Sequence, residues 1–102
     1  YDLEPVRLCS RQEYLNLDAG AENRLTAIRH IPESMPPMII SYGEGETDEF
    51  RRQSKDFRDR WAGSLSRIDY LETPGENHFT IIDGIARPDS PITRALLGHM
   101  GL

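Results

Sequence analysis

The stretch Met38-Ile39-Ile40-Ser41-Tyr42 constrains this chain more than any other. It is apolar and β-branched without alternation, the pattern of a strand covered on both faces, as in a parallel sheet. Gly43 and Gly45 then break it. A second strand is predicted from Arg67 to Thr73, with Ile68, Tyr70 and Leu71 facing inward and Asp69 and Glu72 outward. Between the two, Thr47 caps a helix expected from about Asp48 to Ala62. Asp48 and Glu49 complement its positive end, Arg58 and Arg60 its negative end, and Gly63 stands just past it. Phe50, Phe57 and Trp61 recur at helical spacing and are expected to pack on the sheet. A last helix begins at Ser90, with Pro91 in its first turn, and runs through Ile92, Ala95, Leu96 and Met100.

The order is strand, helix, strand, loop, helix, which defines an α/β chain. Two parallel strands alone would both be edges, yet their apolar character calls for neighbours and cover. The expectation is therefore one domain completed by residues outside this sequence. Residues 37–102 supply its last two parallel strands and their helices, and residues 1–36 form a helical and loop segment expected to follow an absent strand. A chain that starts at Tyr1 instead of Met points the same way, to an upstream stretch that was removed or belongs to another piece.

In the first third, Ser10 and Glu13 have capping-box spacing ahead of Tyr14, Leu15 and Leu17, and Gly20 is expected to end that helix. A second short helix is expected over Ala21 to Ile28. The prolines of Ile31 to Pro37 exclude helix and make a loop leading into the first strand.

Charge and cysteine content narrow the function classes. Seventeen acidic residues against twelve Lys and Arg, a net charge of -5, argue against a nucleic-acid partner. The dense basic spots, Arg51-Arg52 and Arg58/Arg60, are interleaved with acids and read as a solvated helix face. A single cysteine, Cys9, excludes an internal disulfide and fits a reducing, cytoplasmic setting. Without a glycine elbow around it, Cys9 is expected to be a small buried apolar residue. The longest apolar run falls far short of the roughly 18 residues a membrane span requires, and no signal-peptide pattern is present.

Ligands of doubly wound sheets bind beyond the carboxyl ends of the strands. Two loops lie there: Gly43-Glu44-Gly45-Glu46-Thr47-Asp48 after the first strand, and Pro74-Gly75-Glu76-Asn77-His78 after the second. One brings carboxylates and the other a histidine. A carboxylate on an adjacent loop can hold a histidine in the tautomer that takes a proton from a nucleophile. The order acid then histidine matches the last two members of the α/β-hydrolase series Ser, Asp/Glu, His. His30 and His99 form no metal-ligand pattern with His78, and no phosphate-binding or dinucleotide-binding glycine motif occurs, so no cofactor or metal is expected. A solvated turn and a surface histidine are the plain alternative.

Three segments carry a resemblance. Tyr1-Asp2-Leu3-Glu4-Pro5 is similar to the segment after the sixth strand of kynurenine formamidases (arylformamidases), members of the α/β-hydrolase fold. Gly43-x-x-Glu46-x-x-Glu49-Phe50-x-Arg52-Gln53-Ser54 resembles their acid loop and helix start. Asn77-His78-Phe79-x-Ile81-Ile82, followed by Asp89-Ser90-x-x-Thr93, resembles their histidine loop and the entry to their last helix. The resemblance spans nearly the whole chain. It implies the C-terminal portion of an α/β-hydrolase, with Glu46 as the triad acid and His78 as general base. Glu stands where Asp is commoner, and Asp48 where proline is frequent, so Glu44 and Asp48 stay open as partners of His78. Arg52 and Gln53 are read as bracing the helix start. The implied reaction is hydrolysis of N-formylkynurenine, or a similar formamide or ester, to kynurenine and formate. Rival readings are a general carboxylesterase and a non-catalytic binding protein on the same scaffold. None of the serines has the Gly-x-Ser-x-Gly elbow around it. The expected partners are a small-molecule substrate and the N-terminal segment carrying the serine nucleophile; a homodimer stays open.

Overall fold

The computed structural model describes residues 1–64 and 66–102. Strand β1 (Met38–Gly43) and strand β2 (Ile68–Thr73) pair in parallel, with Ile40 opposite Tyr70 and Gly43 opposite Thr73. Between them runs helix α4 (Asp48–Trp61), preceded in the chain by three short helices, α1 (Glu4–Arg7), α2 (Gln12–Leu15) and α3 (Ala19–Leu25). Helix α5 (Pro91–Met100) closes the chain, and single 3-10 segments cover Ala27–Arg29, Ala62–Ser64 and Ile81–Ala86.

The parallel pair is the two-sided strand arrangement anticipated from the unalternated apolar run. On one face Ile40 packs with Phe57 and Trp61 of α4, and Met38, Ile68 and Tyr70 press against that cluster. Full burial of a side chain such as Ile40 or Phe57 is worth about 1.5–3 kcal/mol. The ring of Phe57 stacks on Trp61 and on Tyr1, at centroid distances of 4.7 and 5.1 Å. On the other face α5 packs over both strands. Met35 and Met38 pack against the same core.

Helix boundaries follow local chemistry. Thr47 Oγ1 accepts from the Phe50 amide at 3.5 Å and Ser90 Oγ from the Thr93 amide at 3.2 Å, the two caps read from the sequence. Gly101, at φ 77°, ends α5 in the left-handed conformation that glycine adopts without strain. The basic spots of α4 are solvated only in part: Arg52 is exposed and pairs with Glu49 and Asp56, whereas Arg58 pairs with Asp59 and lies over the Tyr70 ring at 4.3 Å.

Several expectations are corrected. Ser10 caps nothing; Arg11 occupies the cap position of α2 and its side chain makes no capping bond. Asn16, left-handed at φ 47°, ends that helix, and Asp18 caps the next by accepting from the Ala21 amide at 2.6 Å, so Gly20 lies inside α3 and ends nothing. Asp69 does not point to solvent: its Oδ2 lies 2.9 Å from His99 Nε2 under α5. Arg67 first, and His99 after it, hold the Asp69 carboxyl below the usual carboxylate range. Cys9 is exposed, because α1 and the turn after it lie at the surface. Among the described residues no helix is long and apolar enough to cross a membrane.

The first third is tied together internally by an ion cluster around one buried carboxylate, and it is fastened to α4 by the Asp2 amide on Gln53 and the Tyr1 ring on Phe57. Glu22, only 5 % exposed, pairs with Arg7 and with Arg29, the latter at 2.9 Å. The Arg7 bond above all draws the Glu22 carboxyl down, against the opposing effect of burial. Beside it Thr26, fully buried, accepts from the Leu3 amide at 3.2 Å.

Candidate functional site

Because β1 and β2 run parallel, the loops leaving Gly43 and Thr73 emerge on the same side of the sheet. They touch backbone to backbone. The Gly45 amide donates to the Glu76 carbonyl at 2.9 Å, and the Glu44 amide to the Thr73 carbonyl at 3.0 Å. A side chain at residue 43 would put its Cβ 2.3 Å from that Glu76 carbonyl oxygen, a distance no real contact sustains. Glycine is therefore a condition of the approach.

This approach brings the two sequence-derived site residues together. Glu46 Oε1 lies 3.2 Å from His78 Nδ1. The Glu46 side chain is 5 % exposed and that of His78 52 %. A carboxylate only accepts, so Nδ1–H is the donor and Nε2 is left as the basic nitrogen. Of the three acids in the loop, Glu46 is thus the one that faces the imidazole. Glu44 turns the other way and accepts from the Gly75 amide at 3.0 Å, while Asp48 stands exposed in the first turn of α4.

Each residue is held by its surroundings. In the acid loop, Arg51 donates to the Glu44 carbonyl at 2.9 Å and pairs with Glu72 at 2.9 Å. Glu72 also accepts from the Tyr42 hydroxyl at 3.0 Å, and that phenol is pushed above its ordinary range, chiefly by its Tyr70 neighbour and by burial. In the histidine loop, Asn77 Oδ1 accepts from the Phe79 and Thr80 amides at 2.9 and 3.2 Å, while Thr80 Oγ1 accepts from the Asn77 amide at 2.9 Å. This reciprocal pair closes a tight turn around His78. Glu76, its carboxyl drawn down by Thr80 and then by Arg87, ties the turn to the start of the next segment. Gln53 and Arg52 brace Glu49 at the helix start, as anticipated, and Gln53 Oε1 also accepts from the Asp2 amide at 3.0 Å.

One residue was misassigned. Phe50 does not pack on the sheet; it is 44 % exposed, and its ring stacks on the imidazole of His78 at 4.4 Å and 28°. Helical spacing put Phe50 with Phe57 and Trp61, but position 50 lies seven residues, about two turns, before Phe57. The first turn of α4 thus reaches past the core cluster to the strand ends. Proximity in sequence to Glu46 was the signal that could have revealed this.

The pair opens onto a groove of about 520 Å³, lined among others by Leu3, Val6, Ser41, Glu46, Phe50 and His78. Its size is that of small-molecule sites, and its walls combine apolar surface with few polar groups. Cys9 and the acids Glu46 and Glu49 also border it. The other histidines lie apart: His30 Nε2 sits 2.6 Å from the Asn23 carbonyl, and His99 belongs to the Asp69 pair. No protein-family model matches this sequence, and no curated protein or solved structure matches it.

Proposed function

We propose that this chain supplies the acid and base of a serine hydrolase of the α/β-hydrolase type, acting on N-formylkynurenine or a similar aryl formamide or ester. The observation that carries the reading is the contact of a buried Glu46 carboxylate with His78 Nδ1, beyond the carboxyl ends of two parallel strands. That arrangement orients a histidine as a general base and stabilises the imidazolium formed when it takes a proton. The resemblance of the acid and histidine loops to those of arylformamidases supports the substrate class, and the apolar walls of the groove suit a flat aromatic group.

In this mechanism His78 Nε2 accepts the proton of a serine hydroxyl as its oxygen attacks the formyl carbonyl. The imidazolium, held by Glu46, then passes that proton to the departing arylamine. Water, activated by the same nitrogen, releases formate from the formyl-serine and restores the hydroxyl. The serine and the oxyanion-binding amides come from another segment, since the residues here contain no Gly-x-Ser-x-Gly elbow. The outer edges of β1 and β2, which have no strand partner among the described residues, support such an assembly.

Denaturing intact-mass analysis of the purified protein, followed by formate release from N-formylkynurenine, tests the proposal. A polypeptide carrying the serine elbow, with activity abolished by His78→Ala, is the expected result. A protein without any such segment, or activity that survives His78→Ala within a few-fold, overturns it.

A further inference from the structure

Phe50 is a large apolar side chain left 44 % exposed at the mouth of a groove, outside the core cluster, and its ring stacks on the face of a half-exposed histidine. A lone hydrogen bond to Glu46 fixes one atom of that imidazole but not its plane. A half-exposed ring held at one point pivots about that bond and flips readily. The missing restraint is a surface against the ring, and Phe50 provides it at 4.4 Å and 28° from parallel. Phe79 meets the same imidazole only edge-on, at 5.5 Å and 83°, and is itself 82 % exposed.

The mounting of Phe50 suits this role. It stands in the first turn of α4, its amide held by Thr47 Oγ1, four residues after Glu46. The hydrogen-bond partner and the stacking partner of His78 therefore belong to one short segment. Thr47 caps that segment, and the Arg51 bond to the Glu44 carbonyl fixes it to the strand ends. Any movement of the helix start carries both partners together, so their relative geometry survives small shifts.

We propose that Phe50 is a positioning residue: its ring, stacked on His78, holds the imidazole with Nδ1 toward Glu46 and leaves Nε2 free to act as base. The inference rests on the hydrolase reading for its purpose, but not for its test.

The test is tautomer analysis of His78 by two-dimensional nitrogen NMR of the full-length protein labelled at histidine, the signal being assigned by its loss in His78→Gln. In the unsubstituted protein the neutral ring is expected as the Nδ1–H tautomer. In Phe50→Ala the ratio of Nε2–H to Nδ1–H forms should rise roughly two- to tenfold, the factor an aromatic stack of this kind is worth. Phe50→Tyr should restore the original ratio, whereas Phe50→Leu, apolar but not flat, should not. If Phe50→Ala leaves the ratio unchanged, or Phe50→Leu behaves as the original, the inference is overturned while the hydrolase reading stands. If the serine and formamidase activity are absent, that reading falls and the tautomer result still decides the role of Phe50. In an active assembly, Phe50→Ala should lower kcat by a similar factor, and Phe50→Tyr should recover it.

Discussion

His78 Nδ1 and Glu46 Oε1 stand 3.2 Å apart although 32 residues separate them in the chain. Two parallel strands bring their loops to one edge, and Gly43 lets the second loop lie directly on the first. The carboxylate is buried and the imidazole half-exposed, so the acid is sheltered while the base faces the groove.

Removing the acid's charge while keeping its shape should disable the base. With the serine-bearing segment present, Glu46→Gln is expected to lower kcat by roughly 10⁴, because an amide can stabilise the wrong tautomer and cannot hold an imidazolium. Glu44→Gln should stay close to the parent, since Glu44 serves the Gly75 amide instead. Steady-state kinetics on both variants distinguish the two carboxylates; equal losses would reassign the acid.

Gly43→Ala should cost about 1–3 kcal/mol, as overpacking against an immovable neighbour does. The neighbour is the Glu76 backbone, which cannot rotate away as a flexible side chain could. Urea unfolding measures the loss. The histidine loop must lift to admit the methyl group, so the His78 resonances should shift as well.

Phe57→Ala should destabilise the chain by about 3–5 kcal/mol, the usual effect of deleting a buried aromatic ring. Phe57 links Tyr1, Ile40 and Trp61, so the loss also removes the aromatic contact between the first segment and α4. Thermal unfolding followed at Trp61 reports it, and an unchanged midpoint would contradict the core described above.

Acid should loosen the first third itself. The Glu22 carboxyl is drawn down by Arg7 and Arg29 in the folded chain. A lowered folded value means that its contribution is fully present above the ordinary carboxylate range. The contribution is lost as pH falls through that range toward the folded value. Stability measured between pH 7 and pH 3 should therefore decline, and Glu22→Gln should be less stable at pH 7 with a flatter acid limb.

Much of the fold was legible because its signals are local. The apolar run 38–42, the Thr47 and Ser90 caps and the charges at the two ends of α4 act within a few residues, where side chain and backbone meet whatever lies elsewhere. The weak helices of the first third were less legible. Ser10 and Glu13 have the spacing of a capping box, yet a four-residue helix offers too few bonds to hold a box together, and Asn16 and Asp18 set its limits instead.

The sequence by itself thus determined two parallel strands with a capped helix between them, and it marked the loops on which a carboxylate and a histidine would emerge. Only the tertiary structure decided that Glu46 and not Glu44 faces His78, that Phe50 leaves the core for the imidazole, and that Cys9 lies at the surface. The reason is physical: periodicity and capping depend on neighbours in the chain. The direction of a loop side chain is set by backbone more than 30 residues away, here the Glu76 carbonyl resting on Gly43 and Gly45.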